Sequence, residues 1–251
     1  MTSADDAATE LAHRRRDGRR GPRLAPALRP LGVADALLIQ RRIAARLGAI
    51  GGWKCSVPAG ERLNLAPLFA MYIHRGRHAT MNPRGGRASI EPEVAFVMGR
   101  DLPARSRAYD EDEVLGGVAE MRLVIEILGN RYDDPADMPF AEMLADGANN
   151  QGLVVGPVIA DRSVALDAFD VTIRGANGFA LAHAGRHPDG HPTRPLVWLA
   201  NFLPTQGDHL RAGQVVTTGS YAGALDVPLA TPLTVTFGGL GQIELTLDSA
   251  R

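Results

Sequence analysis

Lysine is almost missing from this chain: of its 27 basic residues one is a lysine, Lys54, and the rest are arginines. Cysteine is as scarce, with Cys55 alone, which excludes an internal disulfide and a multi-cysteine metal site. Net charge is close to absent as well, at −1, so no global field draws in nucleic acid or an acidic membrane. No apolar run reaches the roughly 18 residues that span a bilayer. The first residues also lack the basic-then-apolar pattern of a secretory signal. A cytoplasmic protein is expected, with neither nucleic acid nor membrane as partner.

What is present is an ordinary globular composition. A chain of 251 residues with 45% hydrophobic and 22% charged content supports one main domain with a sizeable core. The basic charge is uneven, with five arginines between His13 and Arg20. Such a run can mark a nucleic-acid or membrane patch. Here it lacks interleaved aromatics, and the replacement of lysine by arginine throughout the chain inflates any arginine cluster. The expectation is a solvated helix face or a mobile tail.

The early chain is helical in pattern. Residues 7–16 are rich in helix formers, and residues 33–47 repeat apolar side chains at i, i+3, i+4 and i+7 until Gly48 and the Gly51-Gly52 pair stop them. From Trp53 onward short β-type runs alternate with Gly, Pro and Asn: 90–98, 121–128, 153–159, a hairpin 170–182 turning at Asn177-Gly178, 214–218, and 233–237 with 242–247. One short helix, 196–202, interrupts them. Helices early and antiparallel strand signals late, without regular βαβ alternation, predict an α+β fold. The division is a helical section over 1–50 and a catalytic domain over 51–251.

Two strands carry carboxylates where charge is expensive. The two-residue period of residues 90–98 puts Glu91, Glu93, Ala95 and Val97 on one face. Both glutamates then either lie on a solvated face or turn inward together. Glu126 stands among Val124, Ile125, Ile127 and Leu128, where a charge needs a partner; Arg122, on the same face, is one choice. If all three face inward, they suit a hard divalent cation such as Mg²⁺ or Mn²⁺, which takes oxygen ligands. Zinc fits less well because no His or Cys accompanies the set.

Six stretches, GGWKCS (51–56), EPEVAFV (91–97), IEILGNRY (125–132), DGANNQGLVVGP (146–157), PLVWLANFL (195–203) and RAGQVVTTGSYAG (211–223), follow one another in a specific order. In that order and spacing the chain resembles the 2-keto-4-pentenoate hydratases of the fumarylacetoacetate hydrolase superfamily, from about residue 37 to 247. The resemblance implies a mixed β-roll with an N-terminal helical section. It also implies a Mg²⁺ or Mn²⁺ site on Glu91, Glu93 and Glu126, a functional lysine at Lys54, and a Thr-Gly-Ser turn at Thr218, Gly219 and Ser220. The implied reaction is hydration of a 2-hydroxy-2,4-dienoate to a 4-hydroxy-2-oxo acid in aromatic degradation. Decarboxylation of a 4-oxalocrotonate-type dioic acid and hydrolysis of an acylpyruvate are alternatives on the same fold. A silent homologue that supports a partner enzyme is the non-enzymatic alternative, although such a scaffold would be expected to lose the lysine or a ligand.

Each residue then has a physical role to fill. A buried amine near a metal is expected to have its pKa lowered toward neutrality, which suits proton transfer, whereas a guanidinium stays charged. The Thr218-Gly219-Ser220 turn either grips the substrate carboxylate or simply ends a strand. Arg75, Arg77 and Arg131 are candidates for a second substrate carboxylate. Cys55, alternating away from Lys54, is expected to be a buried small hydrophobe, and Trp53 and Trp198 to be core aromatics. His187 and His191 have i, i+4 spacing, but Pro188, Gly190 and Pro192 forbid the helix of a zinc pair. One of the two is left as a possible edge of the site. A homo-oligomer is expected.

Overall fold

The computed structural model describes residues 3–60, 62–136, 138–161 and 163–250. Two helices open the chain, α1 (Ser3–Arg16) and α2 (Val33–Leu47). α2 forms where the apolar periodicity places it and buries Ala36, Leu37, Ile39, Ile43 and Leu47. Its Gln40 is buried too, and its amide nitrogen bonds the Leu65 carbonyl at 2.8 Å and the Leu144 carbonyl at 2.6 Å. The chain then builds β1 (Ile50–Cys55), β2 (Leu65–Phe69), β3 (Ile73–His74), β4 (His78–Met81) and β5 (Arg87–Met98). After α3 (Glu111–Leu115) come β6 (Val118–Leu128), α4 (Phe140–Ala145), β7 (Asn150–Val158), β8 (Ala168–Gly175) and β9 (Ala180–Arg186). α5 (Thr193–Phe202), β10 (Val215–Ser220), β11 (Leu225–Pro228), β12 (Leu233–Phe237) and β13 (Gly241–Ser249) complete it.

These strands form two mixed sheets. The smaller runs β4-β13-β12-β8-β9, and the larger runs β2-β1-β10-β5-β6-β7-β3 with β11 also paired to β5. The edge strands of the larger sheet, β2 and β3, are joined by only the 3₁₀ turn Ala70–Tyr72. Three residues span at most about 10 Å, so the sheet must curl round until its edges almost meet.

That closure gives the sheet an inside and an outside. The outside supplies Trp53, Cys55, Ile90, Val94, Phe96, Leu123, Ile125 and Val216 to the main core, which the helices and the second sheet cover. The inside holds a separate small cluster of Leu68, Ala95, Val124, Leu153, Val155 and Val215. Alternation along β5 and β6 puts Glu91, Glu93 and Glu126 on that same inner side. The interior of the roll is therefore apolar at one end and ionic at the other.

The arginine run does not behave as a solvated face. Arg14 and Arg15 are buried; Arg14 bonds the carbonyls of Pro22 and Arg131, and Arg15 those of Asp146 and Asn150. Their guanidiniums also lie over the rings of Tyr132, Phe69 and Tyr72. A guanidinium is planar, weakly hydrated and rich in donors, so it can be buried against carbonyls and ring faces where an ammonium could not. Only Arg16 and Arg19 of the run match the expectation of exposure.

Candidate metal centre

Glu91 and Glu126 stand opposite each other in the β5–β6 register, and Glu93 follows two residues along. One carboxylate oxygen from each of the three lies within 4.8 Å of the others. Glu93 and Glu126 are fully enclosed, and Glu91 is partly exposed. Lys54 enters from β1, which is separated from β6 by β10 and β5. Three strand spacings in a flat sheet would be about 14 Å, yet Lys54 Nζ lies 2.7 Å from Glu126 Oε1. Curling of the sheet makes this ion pair. Arg122 is not the partner of Glu126; it pairs with Glu120 at 2.7 Å.

Two β-bulges tune the cluster, since an extra residue re-aims the side chains beside it. The register of β10 against β5 shifts between Thr217 and Ser220. As a result the Gly219 N–H donates to Glu93 Oε2 at 2.8 Å, and the Thr217 hydroxyl donates to the same oxygen. Gly219 adopts φ +124°, and a Cβ there would lie 2.9 Å from the Pro188 side chain, so only glycine fits. The second shift lies between Ile127 and Leu128 on β6 and turns Asn150 inward, where its amide donates to Glu126 Oε1 at 2.9 Å.

The turn before β7 supplies the last contact. Gly147, Ala148 and Asn149 all have positive φ, at 93°, 50° and 63°. For the two non-glycine residues this costs about 1–2 kcal/mol each. The strained turn aims the Ala148 carbonyl at Lys54 Nζ, 3.1 Å away.

The sequence-derived turn residues divide. Thr218 is buried, with its hydroxyl turned to the Val94 carbonyl at 3.4 Å. Ser220 bonds the carbonyls of Gly223 at 3.0 Å and Pro92 at 3.4 Å. Of the three, Gly219 touches the cluster. Thr217, Asn150 and the Ala148 carbonyl were not singled out from sequence; all three residues lie in stretches that carry the resemblance, but only the bulges and the left-handed turn give them their contacts. Arg131 is committed to Asp146 at 2.7 Å, and Arg75 and Arg77 are exposed, the latter pairing with Glu244. Cys55 is buried in the main core as expected. His187 is buried edge-on to Tyr221 beside the Gly219 turn, and burial lowers its pKa to about 4.

The lowered Lys54 pKa was expected beside a bound metal; in the metal-free chain burial pulls in that direction and is the largest single influence, but the nearby Glu126, Glu91 and Glu93 together outweigh it and raise the pKa. The carboxylates respond oppositely: burial, then repulsion from Glu126 and Glu91, pushes Glu93 up to about 8, and burial with Glu126 raises Glu91.

The residues fit a divalent cation. With all three carboxylates ionised, the set and its one ammonium carry two net negative charges, which one such ion would balance. Glu126 Oε2 is buried without a hydrogen-bond partner among the described residues, an expensive state for an oxygen unless something else meets it. All donors in the set are hard oxygens, the choice of Mg²⁺ or Mn²⁺.

A pH effect follows for the metal-free protein. Between the usual value near 4.5 and its folded value of about 8, Glu93 holds a proton in the folded state that the unfolded chain has lost. The folded state binds more protons, so stability falls as pH rises through this window. His187 has the opposite sign but acts only between about 4 and 6.5. Melts in EDTA should therefore show Tm falling from pH 6.5 to 8, with Glu93→Gln flattening the slope. An equal slope in that variant contradicts the assignment.

No family model matches the chain. Among curated proteins, a 2-keto-4-pentenoate hydratase of Paraburkholderia phymatum is 30% identical over 161 residues, covering 63% of this chain and 60% of that protein. A 4-oxalocrotonate decarboxylase of Pseudomonas putida is 26% identical over 156 residues, covering 62% and 58%. The matched stretch thus spans about three fifths of the length of these relatives. Among solved structures, the 4-oxalocrotonate decarboxylase from Pseudomonas putida G7, complexed with calcium and acetate, is similar with a TM-score of 0.76 at 20% identity, over 97% of this chain and 96% of that one. A second structure of that decarboxylase is complexed with magnesium and adipate.

The helix-covered roll with a second sheet packed outside it is the fold that the chain shares with these structures. Over the matched three fifths of its length the chain is similar in sequence to curated 2-keto-4-pentenoate hydratases.

Proposed function

We propose that the chain is a divalent-metal-dependent hydro-lyase that adds water to a 2-hydroxy-2,4-dienoate and gives a 4-hydroxy-2-oxo acid. The observation that carries this reading is the chain's one lysine, buried and clamped against an inward-facing cluster of three carboxylates. Glu91, Glu93 and Glu126 would hold Mg²⁺ or Mn²⁺, which when bound supplies Lewis acidity toward a chelating 2-oxo acid.

The remaining work falls to the chain's own residues. An ammonium has three N–H donors; Lys54 spends one on Glu126 and one on the Ala148 carbonyl, which leaves one for a substrate. Hydration needs a proton delivered to C5 of the 2-hydroxy-dienoate, hydroxide added at C4 with the other proton of water taken up, and the 2-enol proton shifted to C3 to give the 2-oxo acid. Lys54, kept charged by its neighbours, is the donor for the first step and, once neutral, the acceptor for the second. Thr217 and the Gly219 amide fix Glu93, and Asn150 fixes Glu126, so the cluster keeps its shape as charge moves.

One observation favours decarboxylation of a dioic acid as the second reading. A cavity of about 420 Å³ is lined by Ser89 and Leu128, the pair next along the same face from Glu91 and Glu126, and by Arg84 and Arg87. Those arginines could take a distal carboxylate. Turnover of 2-hydroxypenta-2,4-dienoate, 4-oxalocrotonate and an acylpyruvate, followed in the ultraviolet with and without Mg²⁺, tests the choice. Metal-dependent loss of the dienoate supports the hydratase. Activity on 4-oxalocrotonate alone replaces it with the decarboxylase, and metal-independent activity overturns both.

A further inference from the structure

We propose that a cavity at the C-terminal end of α1 binds a small, multiply charged oxyanion. The cavity measures about 470 Å³, and Arg15, Arg16, Arg19, Arg20 and Arg131 line it. Two of these charges are matched: Arg131 by Asp146 at 2.7 Å and Arg19 by Asp17 at 3.1 Å. For Arg15, Arg16 and Arg20 no ion pair forms among the described residues.

Arg15 carries the argument. Its side chain is enclosed, at 8% exposure, and its Nη2 bonds the Asn150 carbonyl at 2.6 Å. Its Nη1 has no hydrogen-bond partner among the described residues, and neither does the buried Nε of Arg20. A guanidinium out of water with an idle N–H is costly unless a ligand meets it. Arg15, Arg16 and Arg20 line one cavity without an ion pair among the described residues, and three such cations call for oxygens that carry negative charge, because guanidinium forks bind phosphate and carboxylate with paired, charge-assisted hydrogen bonds. Burial and the neighbouring Arg131 also lower the Arg15 pKa to about 9, against the opposing pull of Asp146.

None of Glu91, Glu93 and Glu126 lines this cavity, which shares Arg20, Met81, Asn82 and Asn130 with the cavity beside Ser89 and Leu128.

Protein stripped of metal with EDTA and dialysed into chelator-free buffer, titrated calorimetrically with inorganic pyrophosphate and with succinate against sodium chloride of equal ionic strength, tests the proposal. EDTA removes any cation that could draw an anion to the glutamates. Saturable binding of one anion per chain, with a raised melting temperature, is expected. Arg15→Gln and Arg20→Glu should each weaken it at least about tenfold, the scale of one lost charge-assisted hydrogen bond. Arg15 also holds two backbone carbonyls, so Arg20→Glu, nearer the surface, keeps the test open if Arg15→Gln does not fold. Preference for pyrophosphate supports a phosphate-bearing ligand, and preference for succinate a dicarboxylate. Binding of neither above the chloride control, or undiminished binding in the folded variants, overturns the proposal.

Discussion

Glu126→Gln is expected to abolish divalent-metal binding and turnover together. The amide has the same shape but no charge, and its nitrogen would replace one of the two oxygens that now meet Lys54, Asn150 and the open position at Oε2. Metal affinity should fall at least 100-fold, since substitutions merely adjacent to a metal ligand already cost about 10- to 100-fold. Turnover should drop by about 10³ or more, because the Lewis acidity at stake is worth several kcal/mol. Stability is a different matter. Removing the charge weakens the pair with Lys54, but it also relieves repulsion on Glu91 and Glu93. The two effects oppose each other, so the metal-free variant should stay folded, within about 2 kcal/mol of wild type. Calorimetric Mg²⁺ titration and the dienoate assay together give the answer. A folded Glu126→Gln that keeps full activity, with EDTA without effect, removes the metal from the mechanism.

Glu93→Gln should share the catalytic loss but differ in its stability. Glu93 is fixed by the Thr217 hydroxyl and the Gly219 N–H on one oxygen, an arrangement that a glutamine oxygen can keep. Its buried carboxyl already holds a proton up to about pH 8, so the neutral amide resembles the state the metal-free fold prefers at pH 7. The metal-free variant should therefore match or exceed wild-type stability at that pH while failing to gain stability from Mg²⁺.

The sequence made parts of this site legible and concealed others, for physical reasons. α2 was readable to the residue because its apolar spacing and glycine stop act locally. The inward set Glu91, Glu93 and Glu126 was readable as an alternative, because a two-residue period assigns faces without saying which face is buried. Burial was decided by closure of the sheet, which depends on β2 and β3; neither short strand carries a distinctive local pattern. Thr217, rather than Thr218, reaches the cluster because a bulge follows it. Likewise, the proton affinity of Lys54 in the metal-free chain could not be read without knowing that three carboxylates surround it.

Lys54→Met is expected to keep metal binding and lose the chemistry. Without the ammonium the three glutamates have no internal counter-charge, so the proton affinities of Glu91 and Glu93 rise further and the metal-free fold loses about 3–5 kcal/mol, the usual effect of stripping one partner from a buried pair. A dication should then bring back more stability than it gives wild type, because it meets three uncompensated carboxylates. Turnover should fall about 10²- to 10⁴-fold, the range for a positioned proton-transfer group. Lys54→Arg separates charge from titration. It keeps the positive charge but replaces a compact, ionisable amine with a planar group that stays protonated. If Lys54 moves protons, the arginine variant binds Mg²⁺ and turns over as poorly as the methionine variant; if Lys54 only holds Glu126 and Ala148 in place, it turns over near wild type. The composition sharpens this comparison, since arginine occupies every other basic position of the chain and is even buried, at Arg14, Arg15 and Arg131. A basic residue that only needed to be positive and enclosed had an arginine solution elsewhere in the same fold, so the lysine at 54 is where a proton that can leave would matter.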